Sequence, residues 1–199
     1  MGALHPRPED GAPQGTGTLL MLGPDEPGEF WDHVTGEPEF ADGVPDPLDR
    51  WSARVIGGWA EEVGGTALFP FGGPPYAPFI AWAERTGRCH SSPVGLLVHD
   101  EAGLWISFRG AVAIPERLDL PHAPPSPCTG CPAPCLTACP PRALTGEGYD
   151  VPACMNYVRA TETCRSGCLV RASCPVSVRW SRAPEQSAHH MRAFMGETT

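Results

Sequence analysis

The sequence predicts an α+β protein, with a small α/β domain followed by a cysteine-rich module. Strand-like apolar runs alternate with amphipathic helical segments in the first part of the chain, which is typical of an α/β layer. Eight of the nine cysteines lie within residues 128–174, after a proline-rich connector. We therefore predict the α/β domain over residues 18–125 and the cysteine-rich module over residues 126–178.

The two ends of the chain are predicted to lie outside these domains. Residues 1–17 are rich in proline, glycine and acids and lack the order of a secretory signal, so we expect a disordered lead-in. Residues 179–199 are expected to form a C-terminal tail in which His189 and His190 are solvated or loosely packed. No stretch approaches the ~18 continuous apolar residues of a membrane helix. These features predict a cytoplasmic protein whose cysteines stay reduced.

The α/β domain is predicted to begin with a strand over Thr18–Leu22, followed by a short helix that opens near Pro27. A longer helix is expected from Pro47 to about Val63, with Asp46 or Asp49 as its cap. The spacing of its apolar residues predicts one buried face, made of Leu48, Trp51, Val55, Trp59 and Val63.

The second half of this domain is predicted to contain a strand over residues 66–71, a helix over residues 77–86 and a hairpin. The hairpin pairs residues 93–99 with residues 104–114 around a turn that ends in Gly103. Cys89 stands apart from the other cysteines, and we expect it to be a small buried hydrophobic residue rather than a nucleophile.

Charge narrows the classes of partner. All 14 basic residues are arginine, which excludes Schiff-base and P-loop lysines. The net charge of −9 and a pI of about 5.2 argue against non-specific DNA binding. We expect neither RNA nor a membrane as a partner. Six arginines between Arg159 and Arg192 could face an acidic partner, RNA or the acidic N-terminal segment.

The eight clustered cysteines form two runs of four, and each run ends in Cys-Pro. The first run is Cys128, Cys131, Cys135 and Cys139; the second is Cys154, Cys164, Cys168 and Cys174. In two-cluster ferredoxins the cysteine before proline crosses to the other cluster. This pattern predicts a ferredoxin-like module with two 4Fe–4S clusters. Cluster 1 would be held by Cys128, Cys131, Cys135 and Cys174, and cluster 2 by Cys139, Cys154, Cys164 and Cys168.

Two alternatives remain open for these cysteines. Each group of four could bind zinc, although zinc sites favour paired cysteine knuckles that are separated by a spacer. The second run is longer than the spacing of bacterial ferredoxins, so cluster 2 could also be labile, three-iron or absent.

Residues from about Asp46 to Val178 resemble the core of epoxyqueuosine reductase and, more distantly, the corrinoid-dependent reductive dehalogenases. The resemblance is carried by the stretch from Gly95 to Trp105 and by Cys139-Pro140 with Ala143-Leu144 after it. It is also carried by the block with Tyr149, Cys154 and Tyr157.

The resemblance implies a nitroreductase-like half for the α/β domain and two 4Fe–4S clusters that feed electrons to a cobalamin. In that family the substrate is a modified tRNA base, and an acidic proton donor precedes the helix that corresponds here to residues 51–63. Asp49 lies near that point and is a weak catalytic candidate, although we prefer a helix-cap role for it.

The sequence therefore predicts an iron–sulfur protein that transfers electrons to a redox partner protein or a small-molecule substrate. A cobalamin-dependent reductase is the first alternative, and a non-catalytic iron–sulfur binding or sensor module is the second. Whether the chain is itself an oxidoreductase stays open at this point.

Overall fold

The computed structural model describes residues 2–25 and 29–197. It is a mixed α+β structure with small antiparallel sheets. Its strands are β1 (Gly2–Leu4), β2 (Thr18–Leu22), β3 (Thr66–Leu68), β4 (Cys89–Ser91), β5 (Leu97–His99), β6 (Gly110–Ile114), β7 (Leu144–Thr145) and β8 (Gly148–Tyr149). Its α-helices are α1 (Glu29–Thr35), α2 (Pro38–Ala41), α3 (Pro47–Glu62), α4 (Phe79–Arg85), α5 (Val151–Ala160), α6 (Leu169–Ser173), α7 (Pro175–Trp180) and α8 (Pro184–Phe194).

The chain divides into two compact units, and both are discontinuous in sequence. The first contains residues 2–25, 36–89 and 107–124; the second contains residues 29–35, 90–106 and 125–197. The division differs from the predicted run of consecutive domains, because residues 90–106 pack in the core of the second unit. None of the helices in the described part of the chain is long and apolar enough to span a membrane.

The first unit is built on a four-stranded antiparallel sheet in the order β1-β2-β6-β3. Val112 of β6 lies opposite Leu20 of β2 and Ala67 of β3, and it is fully buried. Helix α3 covers this part of the sheet, where Ile56 and Ala60 pack against Val112.

The strand predicted over Thr18–Leu22 and the helix predicted from Pro47 are confirmed. The strand predicted over residues 66–71 ends earlier, at Leu68, and Pro70 beyond it has no N–H to donate to the sheet. The polar loop before α3 contains the short helix α2. Pro27, expected near the start of the first short helix, lies outside the described residues.

The prediction that residues 1–17 form a disordered lead-in is wrong for most of that segment. β1 adds a strand to the sheet, and a 3-10 turn follows at Pro8–Asp10. Asp10 is buried, pairs with Arg85, and accepts a hydrogen bond at its backbone carbonyl from the Trp82 indole (3.0 Å). A composition rich in proline and glycine is therefore ordered here by long-range contacts.

The predicted buried face of α3 is right at Leu48 and one position off at Trp51, Val55 and Trp59, while Val63 lies beyond the helix. The buried stripe is Leu48, Ser52, Ile56 and Ala60, at a spacing of four residues. Small residues at positions 52 and 60 let the helix approach the sheet closely, whereas Val55 and Trp59 are 39% and 38% exposed.

The predicted hairpin of residues 93–99 and 104–114 does not form. β5 pairs with β4, and β6 pairs with β2 and β3. The turn itself is present, because His99 and Gly103 form an antiparallel bridge. Beyond it, the Leu104 N–H donates to the Ser177 hydroxyl (2.8 Å), which draws the chain away from a second strand at that point.

The second unit has a core in which apolar residues pack together with cysteines. Val94, Val98 and Leu104 form one cluster with Val170, Val176 and two buried thiols, Cys135 and Cys174. The C-terminal tail is also part of this unit. It forms α8, in which Gln186, Ser187 and His189 are buried, so the prediction of a solvated or loosely packed tail is wrong.

Candidate metal centre

Four cysteines, Cys128, Cys131, Cys135 and Cys174, line one cavity of about 210 Å³ in the second unit. Apolar walls come from Val98, Leu104 and Val176. Exposed residues, among them Gly130 and Arg179, complete the lining, so the cavity borders the surface of the unit.

The first three of these cysteines are presented by one tightly turning segment. The Cys131 N–H donates to the Cys128 carbonyl (3.1 Å), which closes a turn, and Gly130 within it has a φ of 74°. Cys135 then follows on a 3-10 turn over Pro134–Leu136. The short spacing therefore bends the backbone so that three thiols reach one wall of the cavity.

Cys174 reaches the same cavity from a distant part of the chain. It lies between α6 and α7, in an extended backbone conformation, and Pro175 is the first residue of α7. Proline disfavours a helical conformation for the residue before it and is well suited to begin a helix. The Cys-Pro pair thus ends one helix and begins the next, with the thiol at the junction.

The other four cysteines, Cys139, Cys154, Cys164 and Cys168, line a second cavity of about 30 Å³. Its walls are mostly apolar and include Leu144, Tyr157, Val158, Val170 and Met191. Both cysteine groups thus contain the members that the Cys-Pro pattern assigns to them, with Cys139 and Cys174 exchanged between the two runs.

Local interactions hold the second group in place. The Asp150 carboxylate caps α5 by accepting the Ala153 N–H (2.9 Å), and this helix carries Cys154. Cys168 occupies the N-cap position of α6. The Tyr149 hydroxyl donates a hydrogen bond to the Cys154 sulfur, which favours the thiolate form of that cysteine.

The electrostatics of both groups disfavour thiolates in the absence of a cation. Burial raises the pKa of the Cys128, Cys135, Cys154 and Cys164 thiols, and neighbouring cysteines of the same group raise it further. Four thiols held this way keep their protons until a positive centre compensates the charge. An all-sulfur donor set is the chemistry that binds iron–sulfur clusters or zinc.

Arg171 of α6 lies beside the second group. Burial lowers its pKa, and Cys168 and Tyr149 oppose that effect. Its guanidinium donates a hydrogen bond to the Leu104 carbonyl. Arg171 is thus a half-buried positive charge next to a cysteine group, which the sequence pattern did not indicate.

Ser92 could not be picked out from the sequence either, because a serine in a turn is usually solvated. Here its side chain lines the first cavity, and among the described residues its buried hydroxyl has no hydrogen-bond partner. A buried hydroxyl in the lining of a cavity with four thiols fits a sulfur-rich group there, since sulfur can accept its hydrogen bond.

The remaining candidates are placed elsewhere. Asp49 lies in the first turn of α3, in the first unit, where its carboxylate pairs with the Arg109 guanidinium. The predicted helix-cap role is wrong, because Asp46 occupies the N-cap position and its side chain makes no capping hydrogen bond. Cys89 is buried, as predicted. His189 packs against Trp31, with ring centroids 5.1 Å apart.

Two findings bear on how the site is interpreted. Within the described residues, no set of three or more His, Cys, Asp or Glu side chains is arranged to hold a metal ion. No protein-family model, curated protein or solved structure matches the chain, so the resemblance to epoxyqueuosine reductase depends on the quoted motifs.

Proposed function

We propose that the chain is an iron–sulfur protein that holds two 4Fe–4S clusters and transfers electrons. One observation carries the proposal: the eight cysteines sort into two groups of four around separate cavities, and Cys139 and Cys174 are exchanged between the runs. Sequence neighbours alone would keep each run together. The exchange is characteristic of two-cluster ferredoxins, in which the cysteine before proline serves the other cluster.

The first cavity favours a cluster over a single zinc ion. Zinc draws four thiolates to about 2.3 Å from one point. A cubane has four irons at separate corners, so its ligands stand around the wall of a larger space. The cysteines of the first group stand around about 210 Å³, well above the volume of one water site, which is ~10–15 Å³.

The two sites are suited to pass electrons between them because one apolar cluster forms part of the wall of each cavity. Leu144 and Val170 line the second cavity and also pack in the apolar cluster with Cys135 and Cys174 of the first group. Helix α6 separates Cys168 from Cys174, and its five residues rise only about 8 Å. When bound, the clusters would supply one-electron chemistry, and this wall would exclude water from the space between them.

The proposal also assigns each of the two units to a known type of fold. The second unit would be a ferredoxin-like module, and the first would correspond to the nitroreductase-like half. The smaller second cavity, about 30 Å³, keeps open the alternative that cluster 2 is three-iron, labile or absent. Cobalamin stays a prediction of the resemblance, as does the choice between an enzyme, an electron carrier and a sensor.

The experiment is anaerobic purification followed by analysis of iron, acid-labile sulfide, zinc and cobalt. We expect about eight iron and eight sulfide per chain, with broad absorption near ~400 nm. The matched control is Cys89→Ala, which removes the cysteine that lines neither cavity and should leave the iron content unchanged. Stoichiometric zinc without sulfide would contradict the proposal. Bound cobalt would favour the cobalamin-dependent alternative.

A further inference from the structure

Ser92 is held rigidly at the edge of the first cavity. It follows β4 in a tight turn, where its backbone N–H donates to the Leu96 carbonyl (2.9 Å) and its own carbonyl accepts from the Gly95 N–H (2.9 Å). Both backbone groups are satisfied, so the main chain of Ser92 is held in place at the cavity. The residue is 7% exposed, and it lines the same cavity as the four thiols.

The hydroxyl of Ser92 is a buried donor for which the described residues offer no acceptor. Among the described residues its Oγ is buried and makes no hydrogen bond. Burying a hydroxyl without a partner costs free energy, so such groups usually bind a ligand or an ordered water. The cavity is lined by the four cysteines and by apolar residues such as Val98 and Leu104, and its polar side chains besides Ser92 are the exposed Thr129 and Arg179.

We infer that the Ser92 hydroxyl donates a hydrogen bond to a sulfur of the cluster in the first cavity and thereby raises the reduction potential of that cluster. This inference rests on the proposed function. Reduction adds negative charge to the cluster and its sulfurs. A donor aimed at those sulfurs stabilises the reduced form more than the oxidised form, so the cluster becomes easier to reduce. Ser92 is thus a positioning residue that tunes the cluster rather than a ligand.

The test measures the reduction potential of each cluster in the full-length protein by a redox titration followed by EPR. It compares Ser92→Ala with the neighbouring variant Ser91→Ala. Ser91 is exposed and does not line the cavity, so it is a matched control. Cluster signals are assigned with Cys154→Ala, which removes a ligand of the second group only. We expect Ser92→Ala to make reduction of cluster 1 about tenfold less favourable, which is about 59 mV for one electron. Cluster 2 and the Ser91→Ala protein should keep wild-type potentials.

The outcomes separate the inference from the proposed function. Wild-type protein without iron and sulfide would refute the proposed function itself. Full iron content with an unchanged cluster 1 potential in Ser92→Ala would overturn only the inference. If Ser92→Ala loses cluster 1, a comparison of Ser92→Thr with Ser92→Val tests the inference instead. Threonine and valine have similar volumes, and only threonine keeps the hydroxyl. A wild-type potential in the threonine variant and a lower one in the valine variant support the inference. Equal potentials, or loss of cluster 1 in all three variants, would assign Ser92 a packing role and overturn it.

Discussion

Gly103 ends a tight turn and lies against Ser177 of α7. Its replacement by alanine should loosen the first cysteine group. Gly103 has a φ of 59°, and an added Cβ would overlap the Ser177 backbone nitrogen and lie 2.6 Å from the Ser177 Oγ. That hydroxyl accepts the hydrogen bond of the buried Leu104 N–H. Because the backbone atom cannot move aside easily, the alanine would separate the turn from the helix that follows Cys174.

The size of the effect follows from two costs. A left-handed conformation costs a residue with a Cβ about 1–2 kcal/mol. Loss of the bond to the buried Leu104 N–H costs about 1–3 kcal/mol more. We therefore expect Gly103→Ala to lower the local free energy of unfolding by about 2–5 kcal/mol. Gly95→Ala is the matched control, because Gly95 has a φ of 73° but open space at its Cβ position; it should cost only about 1–2 kcal/mol.

The assay is amide hydrogen exchange of the anaerobic protein, which reports the free energy of local opening. The Leu104 amide should lose much more protection in Gly103→Ala than in Gly95→Ala. The same variant should release iron from the first group faster. Equal losses of protection in the two variants would refute the assigned contact between Gly103 and Ser177.

Two further predictions concern cofactor removal and pH. Oxygen with a chelator should unfold residues 90–106 and 125–197 of the second unit before residues 36–89 and 107–124 of the first, because the core of the second unit includes ligand thiols. Amide hydrogens of residues 128–174 that stay protected after full iron loss would contradict this. The hydrogen bond from Arg54 is the main cause that lowers the pKa of Glu39 from 4.5. The pair therefore stabilises the first unit fully above pH 4.5, and this stabilisation is lost as the pH falls through the lowered pKa of Glu39 in the folded protein. Carboxyl titration by NMR should find the Glu39 midpoint below 4.5 in wild type and nearer 4.5 in Arg54→Leu, and equal midpoints would disprove the role of Arg54.

Elements with strong local signals were predictable from the sequence. The apolar run of β2 and the proline-initiated α3 both lie where the pattern puts them. The Cys-Pro pairs also indicated that Cys139 and Cys174 each join the cysteines of the other run, and each lines the cavity of that run. These features depend on residues next to one another in the chain, which is what a pattern records.

Features decided by distant contacts were not predictable. The buried face of α3 is set by how closely its small residues, Ser52 and Ala60, approach the sheet, whereas hydrophobicity alone favoured Trp59. β1 is ordered by strand β2, whose paired residues lie fifteen to nineteen positions later in the chain, across a segment rich in glycine and proline. Ser92 reaches the first cavity only because residues 90–106 belong to the second unit.

The most direct test of the two-group arrangement compares Cys139→Ala with Cys174→Ala, with Cys89→Ala as the control. The arrangement predicts that Cys139→Ala loses the EPR signal that Cys154→Ala also loses, and that Cys174→Ala loses the signal that Cys128→Ala also loses. Each variant should keep the other signal and about half the iron. If Cys139→Ala and Cys128→Ala lose the same signal, each run of cysteines serves its own cluster and the proposed exchange is wrong.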